Sequence, residues 1–509
     1  MRTRWLPLIV SAMLSTLIAY SVRAQEISLD VREHTLKNGM KVLILPRKNS
    51  STFSAYLRFK TGSVHEQAGK TGLSHMLEHM MFKGTRSIGT LEAEEEEEAI
   101  LEKLDQLHRK ISELRELERS PFQPPALSPV EGKDPSRLTA LEKEIAEATA
   151  AHKQLIIPNE FWEIYRRHGA VGLNASTSRD GTQYYVNLPS NRLELWTILE
   201  SDRMKNPVFR EFYTEREVVK EERRQRYEAN PEGALSEALI AMAFAAHPYR
   251  NPVIGWPSDI DRLLRPDALR HFKTFYAPNN AVLVLVGDLD PEQTVRIMEE
   301  QFGSIPPQPL PELHITQEPP QRGERRASVR FDAQPRFMIG YHIPAMGHPD
   351  HYALQVAAAI MGRGRTSRFY RSLIDGKRLA ASIDVSVSPL RDPGLLTVSA
   401  TPRAPHTPEE LEKEIGAEIE RLRGAAVTDQ ELLRVRNQLE ADLVRSLRSN
   451  ASLAAELGNA QAMAGDWRYL LESRKRLKAV TADDVLRVVK SYLTIENRTV
   501  ATLLPTQPR

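Results

Sequence analysis

Apolar positions change their period several times along the chain, and each change marks an element. Residues 32–59 are strand-like, with apolar runs at 40–45 and 53–59 after an Asn38-Gly39 turn signal. The spacing lengthens to that of a helix over 71–82, closed by Gly84. From 91 to 157 it becomes heptad-like: Ile100, Leu104, Leu107, Ile111 and Leu114 recur at alternating spacings of four and three, as do Leu138, Leu141, Ile145, Ala148, His152 and Leu155. A stretch holding Pro121, Pro124, Pro125, Pro129 and Pro135 breaks the pattern between them. Two heptad helices around a breaker predict an antiparallel coiled-coil hairpin inserted into the fold. The acidic run at 94–98 sits where negative charge suits a helix N-terminus. Such a run predicts a solvated face, so the hairpin reads as a structural insertion.

Alternation returns over 173–188, followed by a helical zone over 192–227 and a buried strand over 276–288. A proline-rich polar stretch at 305–326 has the composition of a linker. Beyond it strands and long helices resume, ending in a strand at 498–504. A repeat spans this linker. Asp267, Leu269, Arg270, Lys273 and Asn280 match Asp484, Leu486, Arg487, Lys490 and Asn497, each pair 217 positions apart (484 − 267). In both copies an amphipathic helix leads through Asn into an apolar strand. The predicted fold is therefore α+β: two homologous α/β halves, each a sheet plus helices, at 25–310 and 331–509 with a linker at 311–330.

The first 24 residues fall outside these halves. Arg2 and Arg4 precede an apolar stretch at 5–20, and Val22-Arg23-Ala24 has side chains that a signal peptidase reads. Cleavage after Ala24 is expected, leaving Gln25 at the N-terminus of a periplasmic or secreted protein without a stable membrane anchor. Over the 509 residues the net charge is only +2, which gives no argument for nucleic acid. There is no cysteine, so disulfides, thiolate metal sites and cysteine nucleophiles are excluded.

Any transition-metal site must then use His and carboxylate. Residues 72–84 read GLSHMLEHMMFKG. On a helix His75 and His79 leave the same face and can meet one ion, while Glu78 projects beside them, placed to take a proton from a bound water. Two ligands hold zinc poorly, so a third is expected. Downstream, in TEREVVKEERRQRYE, Glu215 and Glu222 lie seven residues apart and share a helix face; Glu217 and Glu221 read as ordinary surface charge. Spacing alone does not choose between Glu215 and Glu222.

The 72–85 stretch resembles the M16 (pitrilysin) metallopeptidase family, to which insulin-degrading enzyme and the mitochondrial processing peptidase belong. The family's downstream ER-x-V-x-x-x-E pattern fits Glu215 through Glu222. The resemblance implies one Zn²⁺ on His75, His79 and Glu222, Glu78 as general base, and Glu215 supporting a ligand histidine. The hairpin insertion accounts for the long interval between His79 and Glu222. Residues 173–178 (LNASTS) are similar to the family's edge strand, which implies that Asn174 and Ala175 hold an extended peptide substrate. The implied architecture is a clamshell of two halves that hydrolyses peptides or unstructured segments. Residues 361–368 are similar to the Gly/Ser-rich turn of the second half.

One departure stands out. Family members complete in one chain carry an Arg and a Tyr, seven apart, that hold the substrate carbonyl; here Ile374 and Ala381 occupy those positions. The resemblance then implies a homo- or heterodimer, with an M16-like subunit supplying the Arg/Tyr pair. The competing reading is a non-catalytic assembly subunit of the same fold.

Overall fold

Strong apolar alternation becomes two mixed sheets with helices on both faces. The computed structural model describes residues 28–48, 51–91, 94–119, 135–312 and 314–506. The expected leader at 1–24 and the 120–134 part of the hairpin's breaker lie outside them.

The first sheet contains β1 (Arg32–Thr35), β2 (Lys41–Pro46), β3 (Thr52–Phe59), β4 (Val171–Thr177), β5 (Thr182–Pro189) and β6 (Ala281–Gly287), in the order β1-β2-β6-β3-β5-β4. All seven residues of β6 are buried, as a central strand covered on both faces requires. It runs parallel to β2 and antiparallel to β3. β4 pairs only with β5, with a register irregularity between Val171 and Asn174, and leaves its other edge open.

The second sheet contains β7 (Arg325–Arg330), β8 (Arg336–Ile343), β9 (Ala380–Val387), β10 (Gly394–Pro402) and β11 (Arg498–Leu504), in the order β7-β11-β8-β10-β9. That is the first sheet without β1. The parallel pair recurs as β7 and β11. The repeat seen in sequence falls on equivalent elements: the Arg265–Phe275 helix and β6 correspond to the Ala482–Tyr492 helix and β11. The matched asparagines do the same work, since Asn280 Nδ2 donates to Phe275 O at 2.9 Å and Asn497 Nδ2 to Tyr492 O at 2.8 Å.

Each half lends the other a helix. Leu453, Ala454 and Leu457 of the Asn450–Ala464 helix pack on Tyr56, Val282 and Val284 of the first sheet. Leu235 and Leu239 of the Pro231–Ala243 helix pack on Ala501 and Leu503 of the second. Gly458 permits the first contact, because a Cβ there would come within 2.5 Å of the Tyr56 ring. The two halves of the clamshell are thereby interlocked as well as linked.

Two helices, Glu94–Arg119 and Pro135–Leu155, form the inserted hairpin, with Leu107, Ile111, Leu114 and Leu141 buried along their seam. The acidic run departs from a purely solvated face. Glu97 is buried, accepting from Arg210 Nη2 at 2.8 Å and lying 3.0 Å from His152 Nε2, so it pins the hairpin's base to the body. The helical zone over 192–227 also divides. Helices Leu193–Lys205 and Phe212–Arg223 are separated at Pro207, and Phe209 and Glu211 adopt positive φ.

Candidate functional site

The Leu73–Met80 helix carries the histidines, and its start is tightly fixed. Gly72 has φ +88°, and a Cβ there would meet Ile254 O at 2.3 Å. The Glu66 carboxylate accepts from Gly72 N at 2.8 Å and Ser74 N at 2.6 Å, which satisfies two otherwise free donors at the helix's positive end. Met76, Leu77 and Met80 are buried in the core beneath the first sheet and hold the helix's rotation. That rotation sends both imidazoles toward the Phe212–Arg223 helix, which is itself anchored by the fully buried Val219.

The three side chains converge. His75 Nε2 lies 3.6 Å from Glu222 Oε2 and His79 Nε2 lies 3.4 Å from the same oxygen. One ligand atom from each residue falls within 4.8 Å of the others, and among the described residues this is the one such cluster. Ligands about 2.1 Å from a tetrahedral ion stand roughly 3.4 Å apart, so the observed spacings suit a cation. Glu222 Oε2 is buried without a hydrogen-bond donor, an orphaned anion that a cation would satisfy. A donor set of two imidazoles and one carboxylate supplies three ligands and leaves the fourth position of a tetrahedral ion for water or substrate, as in hydrolytic centres. The residues present fit a divalent ion.

The surrounding groups orient the cluster. Glu215 Oε1 is 2.9 Å from His79 Nδ1, which directs Nε2 toward Glu222. Lys83 Nζ lies 2.6 Å from the other Glu215 oxygen. Arg226 Nη2 lies 2.7 Å from Glu222 Oε1 and leaves Oε2 to face the imidazoles. Burial opposes charge on His79, yet the Glu215 hydrogen bond and the nearby Glu222 carboxylate raise it to about 9. Burial, with His79 nearby, lowers His75 to about 4. Burial disfavours the Glu215 anion, but bonds from His79 and Lys83 outweigh this and bring it to about 2. Burial raises Glu78 above the usual carboxylate range, against the pull of a Thr177 hydrogen bond. That bond, Thr177 Oγ1 to Glu78 Oε2 at 2.6 Å, ties the end of β4 to Glu78.

The substrate-binding pair expected on β4 is split by the strand's alternation. Asn174 is exposed, its Oδ1 accepting from Ala175 N at 2.9 Å, while Ala175 is buried. The open edge of β4 offers backbone groups to an extended chain. Glu217 and Glu221 are exposed and pair with Lys220 and Arg224, as surface charge. Ile374 lies in the Tyr370–Gly376 turn of helix and Ala381 is exposed on β9; neither side chain has a polar atom. Sequence reasoning did not single out Thr177, Arg226, Lys83 or Glu66 by role. Only Arg226 carries a simple signal, lying one helical turn after Glu222.

Residues 41–105 and 138–256 match the family model described as insulinase (peptidase family M16), and residues 263–439 match the one described as the peptidase M16 inactive domain. Residues 106–137 fall between the first two matched segments. The chain is 26% identical over 504 residues to the zinc protease PqqE of Helicobacter pylori, covering 97% of this chain and 98% of that one. The crystal structure of a protease from Helicobacter pylori superposes with a TM-score of 0.77 at 26% identity, over 94% of this chain and 100% of that one. The periplasmic protease PqqL of Escherichia coli shares the fold at 16% identity, with a TM-score of 0.67, over 95% of this chain and 48% of that one. With both halves matched by the family's own models and the duplicated sheet explaining why two models are needed, the chain belongs to peptidase family M16.

Proposed function

We propose that this protein is a zinc-dependent endopeptidase acting on peptides or unstructured polypeptide segments. The observation that carries the reading is the convergence of His75, His79 and Glu222 with Glu78 alongside. These three would hold Zn²⁺, in keeping with relatives named as zinc proteases. When bound, zinc supplies a Lewis acid that polarises the scissile carbonyl and makes water acidic enough to attack near neutral pH. Glu78 accepts the proton of the attacking water and delivers it to the leaving amine. Its raised proton affinity suits both acts, and Thr177 keeps the carboxylate aimed. Glu215 fixes His79, and Arg226 fixes Glu222. The peptide lies extended on the open edge of β4 by Asn174 and Ala175, held by main-chain hydrogen bonds. Such binding favours chains without stable structure.

A donor pair for the carbonyl oxygen is missing at Ile374 and Ala381. A single donor of that kind contributes on the order of 10²–10³ in rate. A second M16-like subunit with an Arg/Tyr pair would supply it. Periplasmic or extracellular residence follows from the leader-like first 24 residues. The absent donor pair is also the one observation that favours a non-catalytic assembly role.

The test is cleavage of an unstructured peptide by purified protein, alone and mixed with an Arg/Tyr-bearing subunit from a neighbouring gene. Chelator-sensitive cleavage restored by zinc is expected, larger in the mixture. Stoichiometric zinc with no cleavage in either case would assign the assembly role instead.

A further inference from the structure

The opposite face of the first sheet holds a second cavity. Along β3, Ala55, Leu57 and Phe59 point into the core that carries the His helix, whereas Tyr56 points to the helix lent by the second half. Arg58 shares the Tyr56 face and lines a cavity of about 590 Å³ between the halves. That volume is in the range of small-ligand sites. Leu390, Leu439, Leu470 and Leu477 of the second half form apolar walls.

Arg58 is only 5% exposed, yet no carboxylate of the described residues lies within ion-pair distance. Its Nη1 donates to two amide oxygens, those of Gln183 and Asn459, and its Nη2 lies 3.5 Å from Met463 Sδ. Its Nε is buried with no acceptor. A buried guanidinium offset only by neutral dipoles retains much of its desolvation cost. Gly181 keeps the space beside it open, since a Cβ there would come within 2.7 Å of Nε. A second guanidinium, Arg474, lines the same cavity and donates to Leu439 O at 3.4 Å. Two acids also line the walls: Glu456, and Asp180, which accepts from the Tyr249 hydroxyl and Arg391 N; neither lies within ion-pair distance of Arg58.

We propose that this cavity binds a small ligand bearing one carboxylate on an apolar chain, with the carboxylate on Arg58 and the chain against the leucines. A single carboxylate suits the one guanidinium that lacks an ionic partner, whereas a dianionic phosphate would bring more negative charge beside Asp180 and Glu456. The carboxylate could come from the C-terminus of a short apolar peptide or from a medium-chain fatty acid. The site is independent of the hydrolytic reading, because it lies on the other face of the sheet.

The experiment is calorimetric titration of the full, metal-stripped chain with N-acetyl-Leu-Leu and with octanoate, each beside its carboxamide. At least one acid should bind one-to-one and roughly ten-fold or more tighter than its amide, a difference of about 1.4 kcal/mol. Tighter binding of the dipeptide acid assigns a peptide terminus; tighter binding of octanoate assigns a fatty acid. Arg58→Met should reduce the preferred acid to the level of its amide. Ser473→Phe, which fills the cavity from the opposite wall and leaves Arg58 in place, should abolish binding and covers the case in which Arg58→Met fails to fold. The proposal is overturned if neither acid binds in the low millimolar range, if acid and amide bind alike, or if binding survives Ser473→Phe.

Discussion

The two halves share a strand order, a parallel strand pair and an asparagine that clamps the same turn, yet among the described residues only the first carries a cluster that could hold a metal ion. In the first half the helix after β3 is short and presents His75 and His79 to a carboxylate-bearing partner. Its counterpart after β8, Pro349–Gly362, buries Val356, Ala357, Ile360 and Met361. The helix in the place of Phe212–Arg223 is Asp429–Ser446, which buries Leu432 and Val435. The contact between these two helices in the second half is therefore made by apolar side chains where the first half presents His and Glu. In the first half, His75, His79 and Glu222 meet at this contact, and Glu215, Lys83, Arg226 and Thr177 hold these groups and Glu78 in place.

That contrast can be broken most forcefully at its chemistry. Glu78→Gln should leave metal content intact and lower turnover by about 10³-fold, measured by peptide cleavage beside metal analysis. Surviving activity would mean that another group handles the proton. Next in size is the exchange of helices. Leu457→Ala, at a fully buried contact with the first sheet, should cost about 2–5 kcal/mol. Calorimetry should show both halves melting together at lower temperature; two separate transitions would show that the halves are less interdependent than their packing suggests. Thr177→Val should be smaller, reducing kcat by about ten-fold through loss of a hydrogen bond to a charged group, with KM unchanged. A change confined to KM would place Thr177 on the substrate instead of on Glu78.

The smallest effect concerns a clasp across the halves. Trp467 Nε1 donates to Glu33 Oε1 at 2.8 Å, Lys41 lies 2.9 Å away, and Arg468 approaches at 2.6 Å. The Trp467 bond foremost, then Lys41, lowers the Glu33 carboxyl from 4.5 to about 2. A depressed folded-state value means stabilisation present above about 4.5 and lost as pH falls through about 2. The pair is partly solvated, so the gain is under about 1 kcal/mol. Glu33→Gln should lower Tm slightly at neutral pH, and the gap to the parent should close between pH 4.5 and 2. A gap independent of pH would refute the ionic account.

What could be read from the chain followed from locality. The histidine pair and Glu78 lie within one turn and a half of helix, and Glu215 to Glu222 within two turns, so helical geometry alone puts each set on one face. The repeat was legible because its helix, Asn and strand are contiguous. Choosing Glu222 over Glu215 needed the family resemblance, because both face the histidines and only packing decides which reaches Nε2. The break in the 192–227 zone was signalled by Asn206-Pro207 but masked by strong helical composition on either side. Burial of Glu97 depended on Arg210, more than a hundred residues away. The cavity at Arg58 was invisible for the same reason, since its walls come from residues 58 to 477.

The reciprocal loan of helices has a consequence for the origin of the molecule. Were the ancestral half a separate polypeptide, its sheet would be bare on one side and its own lent helix would have nothing to cover. Two such polypeptides trading that segment would form a swapped dimer, and tandem joining of their genes would yield the present arrangement without repacking either sheet.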